Sequence, residues 1–179
     1  MGGRASMRAA MLYPERVKGV MSIDSPASSF ANIPGYTEKT YAMVKFFNEF
    51  DPSQFKTMDE IEDHMKQTFG DDQDSLTRIM RNFKYDESGE NVIWKINTQY
   101  FFDNIKEMYY FDPVATYSGP TKMLVGGRSN RWKIDHYRDC FPQIQQSDII
   151  PVPDTGHWIH TDDPESVIKH IEALLIDSE

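Results

Sequence analysis

The chain has 179 residues, with 19 Lys and Arg against 28 Asp and Glu, and its formal net charge is −9. Such a length suits one globular domain, and the 13% aromatic content argues against disorder despite a mean hydropathy of −0.60. The acidic balance gives no basic footprint for nucleic acid, and no apolar stretch is long enough to predict a transmembrane helix. The single cysteine, Cys140, excludes an internal disulfide framework and a cysteine-based metal cluster.

The first part of the chain predicts a helix followed by a strand. Residues 1–10 carry basic and small residues without an apolar core, so we do not interpret them as a signal peptide. Residues 5–13 have helix-favouring composition and end at Pro14. The apolar stretch from Val17 to Ile23 predicts a strand that stops at Asp24-Ser25-Pro26.

The middle of the chain predicts a small helical subdomain. Apolar residues recur at helical spacing in three segments, residues 40–50, 58–69 and 75–83. A short alternating strand is expected at 91–96 and a further helix at 98–109. The simplest interpretation of the aromatic residues in this region is that they form its core.

An alternation of strands and helices returns after residue 112. We expect strands at 121–127 and 148–152, helices at 133–141 and 164–176, and a loop at 153–160. This alternation predicts a parallel sheet, but three strands are few for a sheet that needs cover on both faces. The expected division is therefore residues 1–26 and 113–179 as an α/β core and residues 27–112 as a mostly helical cap.

The loop after the last strand carries the strongest local signal. Gly156 permits a tight turn, and His157 follows the carboxyl end of a parallel strand, where open α/β sheets bind ligands. A general base needs this placement, although from spacing alone an ordinary loop histidine is the simpler interpretation. Asp24 ends another strand and could orient the imidazole, or could simply be a turn aspartate before Pro26.

Metal binding is the weaker alternative for this region. The pattern His157-x-x-His160-x-Asp162-Asp163 could be drawn as a ligand cluster, but the two acids adjoin a helix start, where they favour the helix dipole. Residues 71–74 lack the rest of a calcium loop and are interpreted as a solvated helix entrance. We expect no metal and no cofactor.

Several motifs together resemble the α/β-hydrolase superfamily. The start Met1-Gly2-Gly3 resembles the residues after the nucleophile in the family motif G-H-S-M-G-G. The match continues in order along nearly all of the chain, through Ile23-Asp24-Ser25-Pro26, Leu124-Val125-Gly126-Gly127-Arg128-Ser129-Asn130 and Gly156-His157-Trp158-Ile159-His160. The combination is most similar to the group of alpha/beta-hydrolase domain-containing protein eleven, a mitochondrial serine-hydrolase-type group, and to related bacterial esterases.

The resemblance implies roles for three positions. His157 matches the catalytic base, and Asp24 matches the acid, which this subgroup places after the sixth strand. Many relatives carry the acid after the seventh strand, where this chain reads Gly127-Arg128-Ser129-Asn130 without a carboxylate. Met1 matches the residue after the nucleophile, whose backbone N–H is one oxyanion donor.

The resemblance also implies that part of the fold lies outside this sequence. The chain begins one residue after the position of the serine, and neither Ser6 nor Ser25 replaces it. We therefore expect the carboxyl-terminal part of an α/β-hydrolase fold, with about three parallel strands, flanking helices and an inserted cap. A chain or segment completing the sheet beside Val17 to Ile23 is the expected partner, because an apolar parallel edge would otherwise stay unpaired.

Two functional hypotheses follow. The first is the core half of a serine hydrolase that acts on a small carboxylic ester or related acyl compound once the missing part is supplied. The second is a catalytically inactive hydrolase remnant that serves as a structural or interaction subunit of a larger assembly. A mitochondrial location is implied by the resemblance alone; otherwise we expect a soluble intracellular protein.

Overall fold

A computed structural model describes residues 2–33, 35–129 and 132–176. The strands are β1 (Val20–Ile23), β2 (Phe83–Tyr85), β3 (Val92–Trp94), β4 (Thr121–Gly126) and β5 (Ile149–Val152). The helices are α1 (Gly2–Leu12), α2 (Tyr36–Glu49), α3 (Met58–Phe69), α4 (Gln73–Met80), α5 (Thr98–Tyr109), α6 (Ile159–Asp162) and α7 (Pro164–Ile176). The chain divides into two compact units, the first from Met1–Ile33 and Tyr110–Glu179 and the second from Pro34–Tyr109.

The first unit contains a parallel three-stranded sheet in the order β1-β4-β5. Ile23 of β1 lies opposite Leu124 of β4, and Gly126 of β4 lies opposite Val152 of β5. The residues that follow the three strands therefore meet at one edge of the sheet. This is the arrangement expected of an α/β fold, in which ligands bind at the carboxyl ends of the strands.

Each face of this sheet is covered by helices from the same unit. Met7, Ala10 and Met11 of α1 are buried in a cluster with Val20 of β1 and Met123 of β4. On the opposite face, the buried side chains come from β4, β5, α6 and α7, namely Leu124, Val152, Ile159 and Val167. The alternation of buried residues along the strands thus matches two separate helical layers.

The second of these layers leaves apolar surface exposed. Met21 and Ile23 of β1 are only half-buried, whereas Val20 and Ser22, which alternate with them, are buried. On α7, three apolar side chains at helical spacing are between 42% and 62% exposed; they are Ile168, Ile171 and Leu175. In the part of the chain that the structure describes, β1 has a strand partner on one side only.

The second unit consists of α2 to α5 and the antiparallel β2–β3 hairpin. Its buried core is formed by Ile61, Met65, Leu76, Phe83 and Val92. Phe83 and Trp94 on the hairpin stack with their ring centroids 4.1 Å apart. Helix α3 begins with a capping box in which Thr57 accepts from the Glu60 N–H and Glu60 accepts from the Thr57 N–H.

A pair of hydrogen bonds joins the segment that precedes the second unit to the segment that follows it. The Phe111 N–H donates to Ser29 Oγ at 2.9 Å, and Ser29 Oγ donates to the Phe111 carbonyl at 3.4 Å. The two residues are 82 positions apart and both belong to the first unit. The second unit is therefore an insertion between two segments of the first unit that are hydrogen-bonded to each other.

The structure corrects the predicted helix at 133–141. Only Ile134–His136 forms a short 3₁₀ helix, and turns follow it. Three side chains in this stretch, Tyr137, Cys140 and Phe141, are buried in the core of the first unit. The Tyr137 hydroxyl also donates to the Ser25 carbonyl at 3.2 Å, so tertiary contacts take precedence over helical propensity here.

Smaller differences concern element ends. The first strand begins at Val20, because the chain bends at Lys18 after the 3₁₀ turn Pro14–Arg16, and β2 was not predicted. Residues 27–33 and 110–112 belong with the first unit instead of the range expected for a cap, since Ala27, Phe30 and Phe111 pack in its core. No helix in the described ranges is both long and apolar enough to cross a membrane.

Candidate functional site

The carboxyl edge of the sheet brings together the two side chains that the sequence singled out. Asp24 follows β1 and His157 follows β5, and 133 positions separate them in the chain. His157 Nδ1 lies 2.8 Å from Asp24 Oδ2, which is hydrogen-bonding distance. The Asp24 side chain is fully buried, whereas that of His157 is 57% exposed. A buried carboxylate thus faces an imidazole that is open to solvent.

The backbone of Asp24 is held on both sides. Its φ of 45° lies in the left-handed region, which a non-glycine residue adopts only when surrounding contacts fix it. Its N–H donates to the Leu124 carbonyl at 2.8 Å, which extends the β1–β4 ladder by one residue. Its carbonyl accepts from Trp132 Nε1 at 3.0 Å. These contacts turn the side chain out of the strand toward β4 and β5.

Two further donors fix the Asp24 carboxylate. The Gly126 N–H donates to Oδ1 at 3.2 Å, and Ser129 Oγ donates to Oδ2 at 3.0 Å. Burial by itself raises the pKa of Asp24, but the hydrogen bonds from His157, Gly126 and Ser129 outweigh it and hold that pKa below its ordinary value. The carboxyl group is therefore ionised at neutral pH.

The ionised carboxylate determines which tautomer of His157 fits. A carboxylate is an acceptor only, so the proton between it and the imidazole is carried by Nδ1. In the neutral ring Nε2 is then the acceptor, which is the state that a general base requires. The arrangement can accept a proton at Nε2 and stabilise the resulting imidazolium through Asp24.

Close backbone packing positions the loop that carries His157. A Cβ at Gly126 would lie 2.1 Å from the Gly156 carbonyl oxygen, so a glycine is required where β4 passes this loop. Thr155 is buried, and its hydroxyl donates to the Val152 carbonyl at 2.9 Å. The Arg128 N–H donates to the Thr155 carbonyl at 2.9 Å. The segment after β4 therefore contacts both Asp24 and the His157 loop.

The amino-terminal end of α1 lies beside the same edge. A Cβ at Gly3 would lie 2.7 Å from the Ser25 Cβ and 2.8 Å from Ser22 Oγ, so Gly3 permits a close approach of the helix to the end of β1. Met1, the expected oxyanion position, lies outside the described residues. Ser6 lies within α1, where its hydroxyl donates to the carbonyls of Gly2 and Gly3.

The structure separates the other histidines from this pair. His160 is exposed and contacts the Trp158 ring at a centroid distance of 5.6 Å. His64 packs against Phe50 and Phe55 in the second unit, and His136 Nδ1 accepts from the Lys133 N–H. Within residues 2–33, 35–129 and 132–176, no group of three or more His, Cys, Asp or Glu side chains is arranged to hold a metal ion.

Sequence reasoning missed Ser129 as a partner of Asp24. The stretch Gly127-Arg128-Ser129-Asn130 was noted only for its lack of a carboxylate. No sequence pattern marks a hydroxyl that donates a hydrogen bond to an acid on a neighbouring strand. The parallel register of β1 and β4 is what brings the two residues together. Knowledge of this register, together with the Asp24 assignment, would have identified it.

Comparison with known proteins identifies a matching family and several similar proteins. The model of a family described as alpha/beta hydrolase fold matches residues 1–164. The chain is 28% identical over 186 residues to the sn-1-specific diacylglycerol lipase ABHD11 of Danio rerio, with 98% of this chain and 55% of the relative covered. It is 21% identical over 177 residues to esterase YbfF of Escherichia coli strain K12, with 99% and 65% covered.

A solved structure described as a marine microorganism esterase has a similar fold. Its TM-score is 0.82 at 21% sequence identity, and the match covers 96% of this chain and 66% of that one. The chain spans about half the length of the ABHD11 relatives that it matches, 55% of the protein from Danio rerio and 56% of that from Mus musculus.

Proposed function

Because this chain belongs to the alpha/beta hydrolase fold family, we propose that it supplies the acid and the base of a serine-hydrolase-type site. Asp24 is the acid, His157 is the base, and the substrate is a carboxylic ester or a related acyl compound. The observation that carries the proposal is the 2.8 Å contact between His157 Nδ1 and the buried Asp24 carboxylate at the carboxyl edge of the sheet.

The proposed chemistry is acyl transfer through a serine. Nε2 of His157 removes the hydroxyl proton as the serine oxygen forms a bond to the acyl carbon. The imidazolium, stabilised by Asp24, then gives this proton to the departing alkoxide as the ester C–O bond breaks. Water attacks the acyl-serine in the same way, and the acid product leaves while the serine regains its proton.

The resemblance supplies the remaining parts of the site. The serine is proposed to precede the position of Met1, and the backbone N–H at Met1 to be one oxyanion donor. The close approach of Gly3 to Ser22 and Ser25 supports this assignment, since it brings the start of α1 beside the end of the strand that carries Asp24.

A segment or second chain that adds strands beside β1 is part of the proposal. The chain covers 55% of its Danio rerio relative, and among the described residues β1 has a strand partner on one side only. Half-buried Met21 and Ile23, together with the apolar face of Ile168, Ile171 and Leu175, offer a surface for a helix accompanying those strands. Burial of such apolar surface would stabilise the association.

The second unit is proposed as the cap that the resemblance implies. Relatives named as an sn-1-specific diacylglycerol lipase and an esterase support an acyl substrate. The aromatic side chains of the second unit, such as Phe46, Phe50 and Phe55, suit contact with an apolar acyl chain. A mitochondrial location, implied by the resemblance, is a further part of the proposal that cell fractionation would test.

The test begins with protein isolated under native conditions, whose intact mass is measured before labelling with a fluorophosphonate. A longer chain, or a labelled companion that carries the serine, is the expected result. Hydrolysis of a short-chain ester is then compared in His157→Gln, Asp24→Asn and, as a matched control, His160→Gln. Asp24→Asn should lower kcat by about 10⁴-fold and His157→Gln by about 10⁶-fold, as loss of the acid or the base of a triad does elsewhere.

Two outcomes would contradict the proposal. If His157→Gln retains most of the activity, another base acts and the geometry at Asp24 has a different role. If the isolated protein has a mass near 20.8 kDa and no component is labelled, the catalytic proposal fails. The alternative, an inactive hydrolase remnant serving as a structural or interaction subunit, would then account for the exposed edge and helix face.

A further inference from the structure

The orientation of His157 depends on its backbone as well as on its hydrogen bond to Asp24. More than half of its side chain is exposed, and its ring contacts Asp24 and the edge of the neighbouring Trp158 ring, whose centroid is 5.5 Å away. An exposed imidazole samples several rotamers unless the residues on either side are fixed. The contacts that fix the His157 loop are therefore part of the site.

Asp162 is hydrogen-bonded to both residues that flank His157. Asp162 Oδ2 accepts from the N–H of Gly156, the residue before His157, at 2.8 Å. Asp162 lies at the end of α6, and its own N–H donates to the Trp158 carbonyl at 3.0 Å. The chain from 156 to 162 is thus closed by a hydrogen bond to each neighbour of His157.

Arg128 joins this closed loop to the segment that holds Asp24. Its guanidinium lies 3.4 Å from the same Asp162 oxygen, and its N–H donates to the Thr155 carbonyl. Arg128 stands between Gly126 and Ser129, which both donate to the Asp24 carboxylate. Residues 126–129 form a turn in which the Ser129 N–H donates to the Gly126 carbonyl. This turn therefore contacts Asp24 on one side and the loop that carries His157 on the other.

We propose that Asp162, assisted by Arg128, is a positioning residue for His157. The inference rests on the proposed function, since it assumes that His157 is the base. Asp162 acts through the Gly156 amide and holds the imidazole against Asp24, without touching the reacting atoms. Its side chain is 16% exposed. Its sequence position beside the start of α7 suggested only a favourable interaction with the helix dipole.

The experiment compares Asp162→Ala and Asp162→Asn in the protein that carries the complete sheet. The matched control is Asp163→Ala, because the neighbouring carboxylate instead accepts from the Ser166 N–H at 2.9 Å in the first turn of α7. Four quantities are measured. NMR gives the hydrogen exchange of the Gly156 amide and the low-field resonance of the His157 Nδ1 proton, and kinetics give kcat and KM for a short-chain ester.

Asp162→Ala is expected to raise the exchange rate of the Gly156 amide about tenfold or more and to broaden the Nδ1 resonance. It should lower kcat by about ten- to a hundredfold with little change in KM, because displacement of a catalytic group by one ångström has effects of this size. Asp162→Asn keeps an acceptor oxygen and should lie between the wild type and the alanine variant. Asp163→Ala should lower the unfolding midpoint without changing the Nδ1 resonance or kcat.

Wild-type Nδ1 resonance and kcat in Asp162→Ala would overturn the inference, as would equal effects from Asp163→Ala. If Asp162→Ala does not fold, Asp162→Asn decides: a reduced kcat at unchanged KM supports positioning, and wild-type kinetics overturn it. If the complete protein hydrolyses no ester, the proposed function fails. The Gly156 exchange rate and the Nδ1 resonance still decide whether Asp162 positions the ring.

Discussion

The close approach of Gly126 to the His157 loop gives the most direct test of the architecture. In Gly126→Ala, the new Cβ would lie 2.1 Å from the Gly156 carbonyl oxygen and 3.1 Å from that of Thr155. Both are backbone atoms, so no side chain can turn away to relieve the contact. Ordinary contact begins near 3.4 Å, and the loop must therefore move by more than one ångström.

The stability that Gly126→Ala loses through the close contact can be compared with the stability that alanine adds by restricting the unfolded chain. Overpacking of this kind costs about 1–3 kcal/mol, whereas replacing glycine stabilises by about 0.4–1 kcal/mol through the unfolded chain. The net effect is destabilising, and in a chain of this length each kcal/mol lowers the unfolding midpoint by about 2–4 °C. Since the Gly126 N–H donates to Asp24, the contact between Asp24 and His157 should weaken as well.

The assay is urea or thermal unfolding together with the His157 Nδ1 resonance. Gly2→Ala is the matched control, because a Cβ at Gly2 would meet nothing within 4 Å. This control should have wild-type or slightly higher stability. Equal stability of the two variants, with an unchanged resonance in Gly126→Ala, would refute the conclusion that β4 and the loop are held at this distance.

Three further predictions concern single groups. Ser129→Ala removes a donor to Asp24 and should raise the pKa of that carboxyl group, as measured by carboxyl NMR titration; an unchanged pKa, matching the Ser6→Ala control, would contradict the hydrogen bond. The folded-state pKa of Asp24 is lowered, so its contribution to stability is present above about pH 4 and is lost as the pH falls through that pKa. The difference in unfolding free energy between the wild type and Asp24→Asn should therefore shrink on acidification. A difference that does not change with pH would contradict the lowered pKa. Burial raises the pKa of the Cys140 thiol to about 11, so iodoacetamide at pH 8 should alkylate it slowly in the native protein and readily after unfolding.

The sequence was informative where a residue type and a strand end coincide. Asp24 and His157 each follow a short apolar strand, and parallel strands bring such ends to one edge, so their proximity could be inferred before any coordinates. The bounds of α3, α5 and α7 were predicted to the residue, because apolar spacing and capping residues agree there. The catalytic roles of Asp24 and His157 are a proposal.

Contacts that depend on register and close packing could not be inferred in this way. The 133–141 segment has helical composition, but burial of Tyr137 and its hydrogen bond to Ser25 determine its conformation. Asp162 carries no pattern that distinguishes a bond to Gly156 from a role at a helix start. Both outcomes depend on residues distant in sequence, which local propensity does not register.

The hydrogen bonds between Ser29 and Phe111 bear on the order in which the protein folds. Val20 of β1 pairs with Thr121 of β4 across the whole inserted unit, and the entropy of closing such a loop grows by about 0.6 kcal/mol with each doubling of its length. The insertion is rich in local helical and hairpin contacts, which form faster than long-range parallel pairing. Once folded, it replaces a long flexible loop by a compact body, leaving only the short segments near Ser29 and Phe111 to be closed. We therefore expect variants that destabilise the second unit to slow the pairing of β1 with β4 during folding.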